Sequence, residues 1–321
     1  MLSLNEHAYA VVERLTAAAD MLCVAVSTLD NGATVVDAGV AVEGTLEAGR
    51  LFAEVCLAGL ADVQFRQLDL DGLVLPGVEV NVHRPLLACM ASQYAGWALN
   101  VPATETSKKY FAMGSGPARA LYRGDPIFAD IDYEDPATIA VLTLEADRLP
   151  SAEVAARVAA KCGVEVERVV LLVAPTASLV GSVQIAARIV ETGLHKMHEV
   201  GFDIHTVISG FGACPLAPVA GDDLTAIGRT NDAVLYGGRA WYTVETEDAL
   251  IESVIERLPS AASGDYGAPF GELFRRYGGD FYKIDPLLFS PAEITITNSA
   301  SGRTFHAGDV NASVLRASLF A

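Results

Sequence analysis

The sequence predicts an α+β (mixed α/β) fold in two domains, and three observations carry that reading. Segments of helical periodicity are interspersed with β-prone hairpins instead of following a strict β-α-β series. A length of 321 residues exceeds what one core usually serves, while 51% hydrophobic and 19% charged residues suit compact packing. A Rossmann fold is not indicated: "FAMGSGPARAL" (Phe111 to Leu121) lacks the third glycine, and no clear strand precedes it.

The elements follow in chain order. Asn5 to Ala19 is amphipathic and reads as helix. "VAVSTLDNGATVVDAG" sets Asp30-Asn31-Gly32 between two β-prone runs, a hairpin signal. Helix returns over Glu47 to Gly59, followed by the extended stretches "DVQFRQLDL" and "GVEVNVHR" and by a helix led by Pro85. "NVPATETS" (Asn100 to Ser107) offers a break, giving expected domains of 1–105 and 106–321, the C-terminal segment being free to return to the first. Beyond it, "TIAVLTLEA" and "VERVVLLVA" read as buried strands around a helix at Ala152 to Cys162. One long helix is expected from a cap at Ser178 to a stop at Gly201. "PSAASGDYGAPF" reads as loop, and "PAEITITNSASGRTFHAG" as a late hairpin.

Charge and cysteines narrow the function classes. A net charge of −18 repels phosphate backbones, and no cluster of Lys and Arg offsets it, so nucleic acid is not an expected partner. No apolar run reaches the roughly 18 residues of a membrane span, and the start lacks a basic segment followed by an apolar stretch. Cys23, Cys56, Cys89, Cys162 and Cys214 are odd in number and show no paired spacing, which suits reduced thiols in a cytoplasmic protein.

Within the long helix, Gln184, Arg188, Glu191, His195 and His198 recur at intervals of four, three, four and three. At about 100° per residue they form one narrow polar stripe, while Val183, Ala186, Val190, Leu194 and Met197 form an apolar back. A solvated edge would look similar, its Arg-Glu pair contributing about 0–1 kcal/mol. The composition points elsewhere, because solvated edges favour Lys and Glu, and the one lysine here, Lys196, lies off the stripe. A carboxylate beside a guanidinium is favoured in its ionised, directed form, as a base for water must be. His195 and His198 are three apart, and Lys196 follows the first, so the four-residue H-E-x-x-H zinc pattern is not met and no metal is expected.

Other stretches admit two readings each. Gly114, Ser115 and Gly116 lead into Pro117 and Arg119, either as a structural glycine turn or as a backbone site for an anionic or carbonyl-bearing ligand. "GRTNDAVLYGG" carries Asn231 and Asp232, an ordinary turn pair or a donor-acceptor set for a heterocycle edge. "GDFYKID" (Gly279 to Asp285) says little alone. Neither a G-x-S-x-G elbow nor a Walker loop occurs.

Taken together, "EAGRLFAEVCLAGL", "ACMASQYAGW", "FAMGSGPARAL", "VAPTASLVGSVQIAARIVETGLHK", "GRTNDAVLYGG" and "DFYKIDPLLFSPA" resemble the methenyl-tetrahydromethanopterin cyclohydrolase family over nearly the whole chain. The resemblance implies a two-domain subunit with a ligand pocket between the domains, usually assembled as a homotrimer. It implies hydrolysis of the methenyl bridge of a reduced pterin to a formyl group in one-carbon metabolism, without metal or redox cofactor. The family's catalytic arginine and glutamate match Arg188 and Glu191. Gln184, Ser115, Gly116, Arg119, Asn231, Asp232 and His195 are the expected substrate contacts, chosen by motif position. A non-catalytic protein that binds a pterin one-carbon carrier is the alternative, disfavoured by the retained Arg-Glu pair.

Overall fold

The computed structural model describes residues 2–103, 109–278 and 283–320. In chain order the elements are α1 (Leu4–Ala17), α2 (Ala19–Leu22), β1 (Ala25–Thr28), β2 (Thr34–Asp37), α3 (Leu46–Cys56), β3 (Ala61–Leu70) and β4 (Leu73–Val82). There follow β5 (Trp97–Val101), β6 (Tyr110–Ser115), α4 (Ala118–Tyr122), β7 (Ala140–Glu145), α5 (Ala152–Cys162) and β8 (Val169–Ala174). The remainder comprises α6 (Leu179–Ala186), α7 (Ile189–Glu199), β9 (Val207–Pro215), α8 (Asp223–Gly237), β10 (Arg239–Val244) and α9 (Asp248–Val254). Last come α10 (Phe270–Arg276), β11 (Glu293–Asn298), β12 (Thr304–Gly308) and α11 (Ala312–Leu319). The α+β expectation holds: helices accompany two mixed sheets, without Rossmann topology.

The chain divides into two compact units, Met1–Ala61 with Leu87–Gln184, and Asp62–Leu86 with Ile185–Ala321. This differs from a 1–105 and 106–321 division because the β3–β4 hairpin pairs with β9 of the second unit, not with its sequence neighbours. The C-terminal helix α11 belongs to the second unit. The expected break at Asn100–Ser107 and the stretch Gly279–Asp285 lie partly outside the described residues.

The first unit is built on the sheet β1-β2-β8-β7-β6-β5. Its middle is parallel, β2 beside β8 beside β7, and every residue of β8, "VVLLVA", is buried, as a strand covered on both faces must be. Alternate residues serve two cores. Val169, Leu171 and Val173 join Val154 and Val158 of α5 on one side, while Val170 and Leu172 join Val11, Leu15 and Phe52 of α1 and α3 on the other. The helices start where a side chain satisfies an early N–H: Ser3 accepts from Glu6, and Thr45 from Ala48. The expected Asp30–Gly32 turn joins β1 to β2 with Gly32 at φ +87°.

The second unit carries the sheet β12-β11-β10-β9-β4-β3, antiparallel except for β10 beside β11. The β3–β4 turn places Asp71 and Gly72 at φ +55° and +74°, the two left-handed positions of a tight hairpin. Where the chain returns to the first unit after Pro85, the helix is of the wide type: Leu86–Gln93 ends with the Tyr94 N–H bonded to Cys89 O at 2.7 Å. Among the described residues, no helix is long and apolar enough to cross a membrane.

Candidate active site

The long helix expected from Ser178 to Gly201 is interrupted. α6 ends at Ala186, and Arg188, at φ −79° and ψ 1°, is the residue that opens α7. Its N–H bonds Ile185 O at 3.0 Å, three residues back, so the regular ladder loses a step. Ile189, Val190 and Thr192 are β-branched, which lowers the cost of ending one helix and starting another here. The Thr192 N–H and hydroxyl both donate to Arg188 O, at 2.8 and 2.9 Å, and fasten the new first turn. The five-residue stripe is therefore not continuous: Gln184 rides α6, and the other four belong to α7 or its cap.

Absent side chains seat α7 deep on its sheet. A Cβ at Gly210 of β9 would stand 2.5 Å from Val190 Cγ1, and one at Gly212 2.5 Å from Ile189 Cγ2. Ile189 also occupies the place a side chain on Gly238 would need, and the Tyr242 hydroxyl fills the place of one on Gly193. That hydroxyl donates to Val190 O at 2.7 Å. On a further face Lys196, fully buried, donates to Leu287 O, and burial pulls its ammonium down to about 8.

On this base sit the two polar groups of interest. Arg188 Nη1 lies 3.8 Å from Glu191 Oε2, and the two side chains are only 12% and 7% exposed. At that distance the two form an ion pair one helical turn apart, and the guanidinium favours the carboxylate in its ionised form. His195 and His198 both lean toward one acid: Glu199 Oε1 is 3.6 Å from His195 Nε2 and 3.7 Å from His198 Nδ1. Among the described residues, no three His, Cys, Asp or Glu side chains are grouped to hold a metal ion.

In the first unit Gln184 is buried and its amide donates to Glu145 Oε2 at 3.3 Å, while the Thr176 hydroxyl donates to Oε1 of the same carboxylate. Glu145 ends β7, and Thr176 follows β8. Sequence reasoning misses both; their signal is a polar residue at the carboxyl end of a parallel strand, where such sheets gather functional groups. The Ser115 hydroxyl donates to Gln93 O at 2.5 Å, and the Gly116 N–H to Ser92 O at 2.8 Å. Gly116 takes φ +98°, as the glycine-turn reading requires. Arg119 is buried in the same place. Its Nη1 donates to Met90 O and Ser92 O at 2.9 and 3.2 Å and its Nη2 to Asp125 at 2.9 Å, with the guanidinium 5.1 Å from the Tyr94 ring centre.

Asn231 and Asp232 of the second unit lie within α8, not in a turn. Asn231 Nδ2 donates to Ile227 O at 2.8 Å, one helical turn back. Asp232 is buried and accepts from the Phe270 N–H at 2.8 Å and from the Ser318 hydroxyl at 2.5 Å, so one carboxyl joins α8, α10 and α11. Burial pushes it up to about 7. It borders a cavity of about 190 Å³ that Gly228, Arg229 and Arg275 also line.

Comparison with known sequences gives these residues their context. The profile of the family described as Cyclohydrolase (MCH) matches residues 3–319. The chain belongs to that cyclohydrolase family. The methenyltetrahydromethanopterin cyclohydrolase of Methanocaldococcus jannaschii is 48% identical over 324 residues, covering 99% of this chain and 98% of its own length. Those of Methanothermobacter marburgensis and Methanococcoides burtonii are 46% identical over 320 residues and 42% identical over 317, each covering 98% of this chain. The cyclohydrolase family membership thus spans both compact units.

Proposed function

We propose that this chain hydrolyses the methenyl bridge of a methenyl-tetrahydromethanopterin to the formyl compound, with Glu191 as the base and Arg188 as its guide. The observation that carries the reading is a carboxylate almost shut away from solvent beside a guanidinium on the same helical turn, in a member of a cyclohydrolase family. The relatives' names supply the substrate.

The chemistry follows from charge. The bridging carbon of a methenyl pterin is bonded to two nitrogens that share one positive charge, so it is already electrophilic and lacks only a nucleophile. Glu191 takes a proton from water as the oxygen attacks, an assistance worth about 10²- to 10⁴-fold. Arg188 aims the carboxylate and faces the negative charge that gathers on oxygen while its protons are being removed. The adduct hydroxyl then gives up its proton to solvent as the C=O forms and the C–N bond breaks; the electron pair of that bond goes to nitrogen, and Glu191 returns its proton there, with His195 as an assisting group.

Of the other expected contacts, Gln184, Asn231 and His195 are proposed to touch the pterin. Ser115, Gly116, Arg119 and Asp232 are proposed as its frame, because each ties its own element to the backbone of another segment. A homotrimer working in the cytoplasm without metal or redox cofactor completes the proposal.

The test follows the methenyl chromophore by its ultraviolet absorbance. Glu191→Gln keeps the shape and removes the base, so turnover should fall at least about a hundredfold while pterin affinity stays within a few-fold. Turnover at the wild-type rate would end the assignment.

A further inference from the structure

We propose that Tyr242 is a positioning residue for Glu191: its hydroxyl sets the helical turn from which the carboxylate projects. The inference rests on the reading of Glu191 as the base and adds a group outside the polar stripe.

Tyr242 stands on β10, opposite Gly210 of β9, and is 2% exposed. Because Gly210 has no side chain, the tyrosine ring and Val190 share the space above it, and the ring reaches the helix end-on. Its hydroxyl makes two contacts there. It donates to Val190 O at 2.7 Å, the carbonyl of the peptide unit whose nitrogen belongs to Glu191. It also lies against Gly193, where any Cβ would collide with it. One oxygen therefore fixes the peptide plane before Glu191 and the backbone two residues after it.

A buried tyrosine hydroxyl needs some partner, and stability alone would be served by many carbonyls. Here the partner is the peptide unit joined to the catalytic carboxylate, and a glycine in the next turn admits the phenol. Rotation or translation of this turn would move the Glu191 carboxylate relative to the water it deprotonates, and misplacement near 1 Å is enough to cost rate heavily. Tyr242 itself touches no reacting atom.

The experiment is a pair of cycles on the full-length chain, with kcat and KM read separately from methenyl absorbance. Tyr242→Phe should lower kcat about tenfold with KM within about twofold, a split that loss of folded protein does not produce once active protein is counted. In the Glu191→Gln background the same change should have no further effect, because the group being aimed is gone. Gly193→Ala should also be slow, and adding Tyr242→Phe should restore part of its kcat by removing the oxygen that the new methyl strikes. An unchanged kcat for Tyr242→Phe overturns the proposal, as does an equal loss with and without Glu191. If Gly193→Ala does not fold, the cycle with Glu191→Gln still decides. Wild-type turnover by Glu191→Gln refutes the base assignment and this proposal together, and that result is visible apart from whatever Tyr242→Phe does.

Discussion

Asp232 illustrates how a single carboxyl is used when water is withheld from it. An unfolded aspartate loses its proton near pH 4, whereas in the fold this one keeps it to about pH 7. Between those values the native chain binds the extra proton, so this group's contribution to stability declines as pH rises and is fully lost above about 7. Asp232→Asn keeps the acceptor for the Phe270 N–H and can donate to the Ser318 hydroxyl, but it does not ionise. Urea unfolding should show the variant gaining on wild type from pH 5 to pH 8 by roughly a few kcal/mol, because each tenfold change in proton affinity is worth about 1.4 kcal/mol. A difference independent of pH would mean the carboxyl is ionised throughout. The sequence shows Asp232 as a polar residue in a suggestive motif, and its burial is illegible there because α10 and α11, which close over it, lie far along the chain. Arg119 is a parallel case: its carbonyl partners Met90 and Ser92 come from a segment some thirty residues earlier. Arg188 and Glu191 are legible because their partner relation is local, one turn of helix.

Elements set where those residues stand. α7 approaches β9 closely because Gly210 and Gly212 offer bare backbone to Val190 and Ile189. Gly212→Ala would put a methyl 2.5 Å from Ile189 Cγ2, on a strand that cannot yield and against a stiff β-branched side chain. It should destabilise the protein by about 1–3 kcal/mol and lower turnover of the folded remainder, since Arg188 and Glu191 move with the first turn of α7. Gly221→Ala, with nothing within 4 Å, is the control and should change neither. Equal behaviour of the two variants in thermal melts and in turnover would refute the close-seating account. Periodicity reveals much at this scale. The helix Ala152–Cys162 and the hairpin around Gly32 stand where their patterns place them. The break at Ala187–Arg188 escapes the pattern, because a one-residue tightening leaves the apolar spacing on either side intact.

For the molecule as a whole, the units alternate along the chain, so no single cut separates them. A fragment of residues 106–321 would contain β9 without β4, leaving unpaired the strand edge that meets Gly77 to Val82. Such a fragment should lack a cooperative thermal transition by near-ultraviolet circular dichroism. A sharp transition with native strand content would show that the hairpin is dispensable. The composition indicates two domains, but local patterns cannot announce that β4 pairs with a strand so distant in sequence. The same interleaving governs synthesis. The β3–β4 hairpin leaves the ribosome long before β9 exists, and at about 5–20 residues per second it waits on the order of ten seconds for its neighbour. During that interval the charge on β4 itself, Glu79 paired with Arg66 of β3, discourages other nascent chains from the edge that β9 will cover.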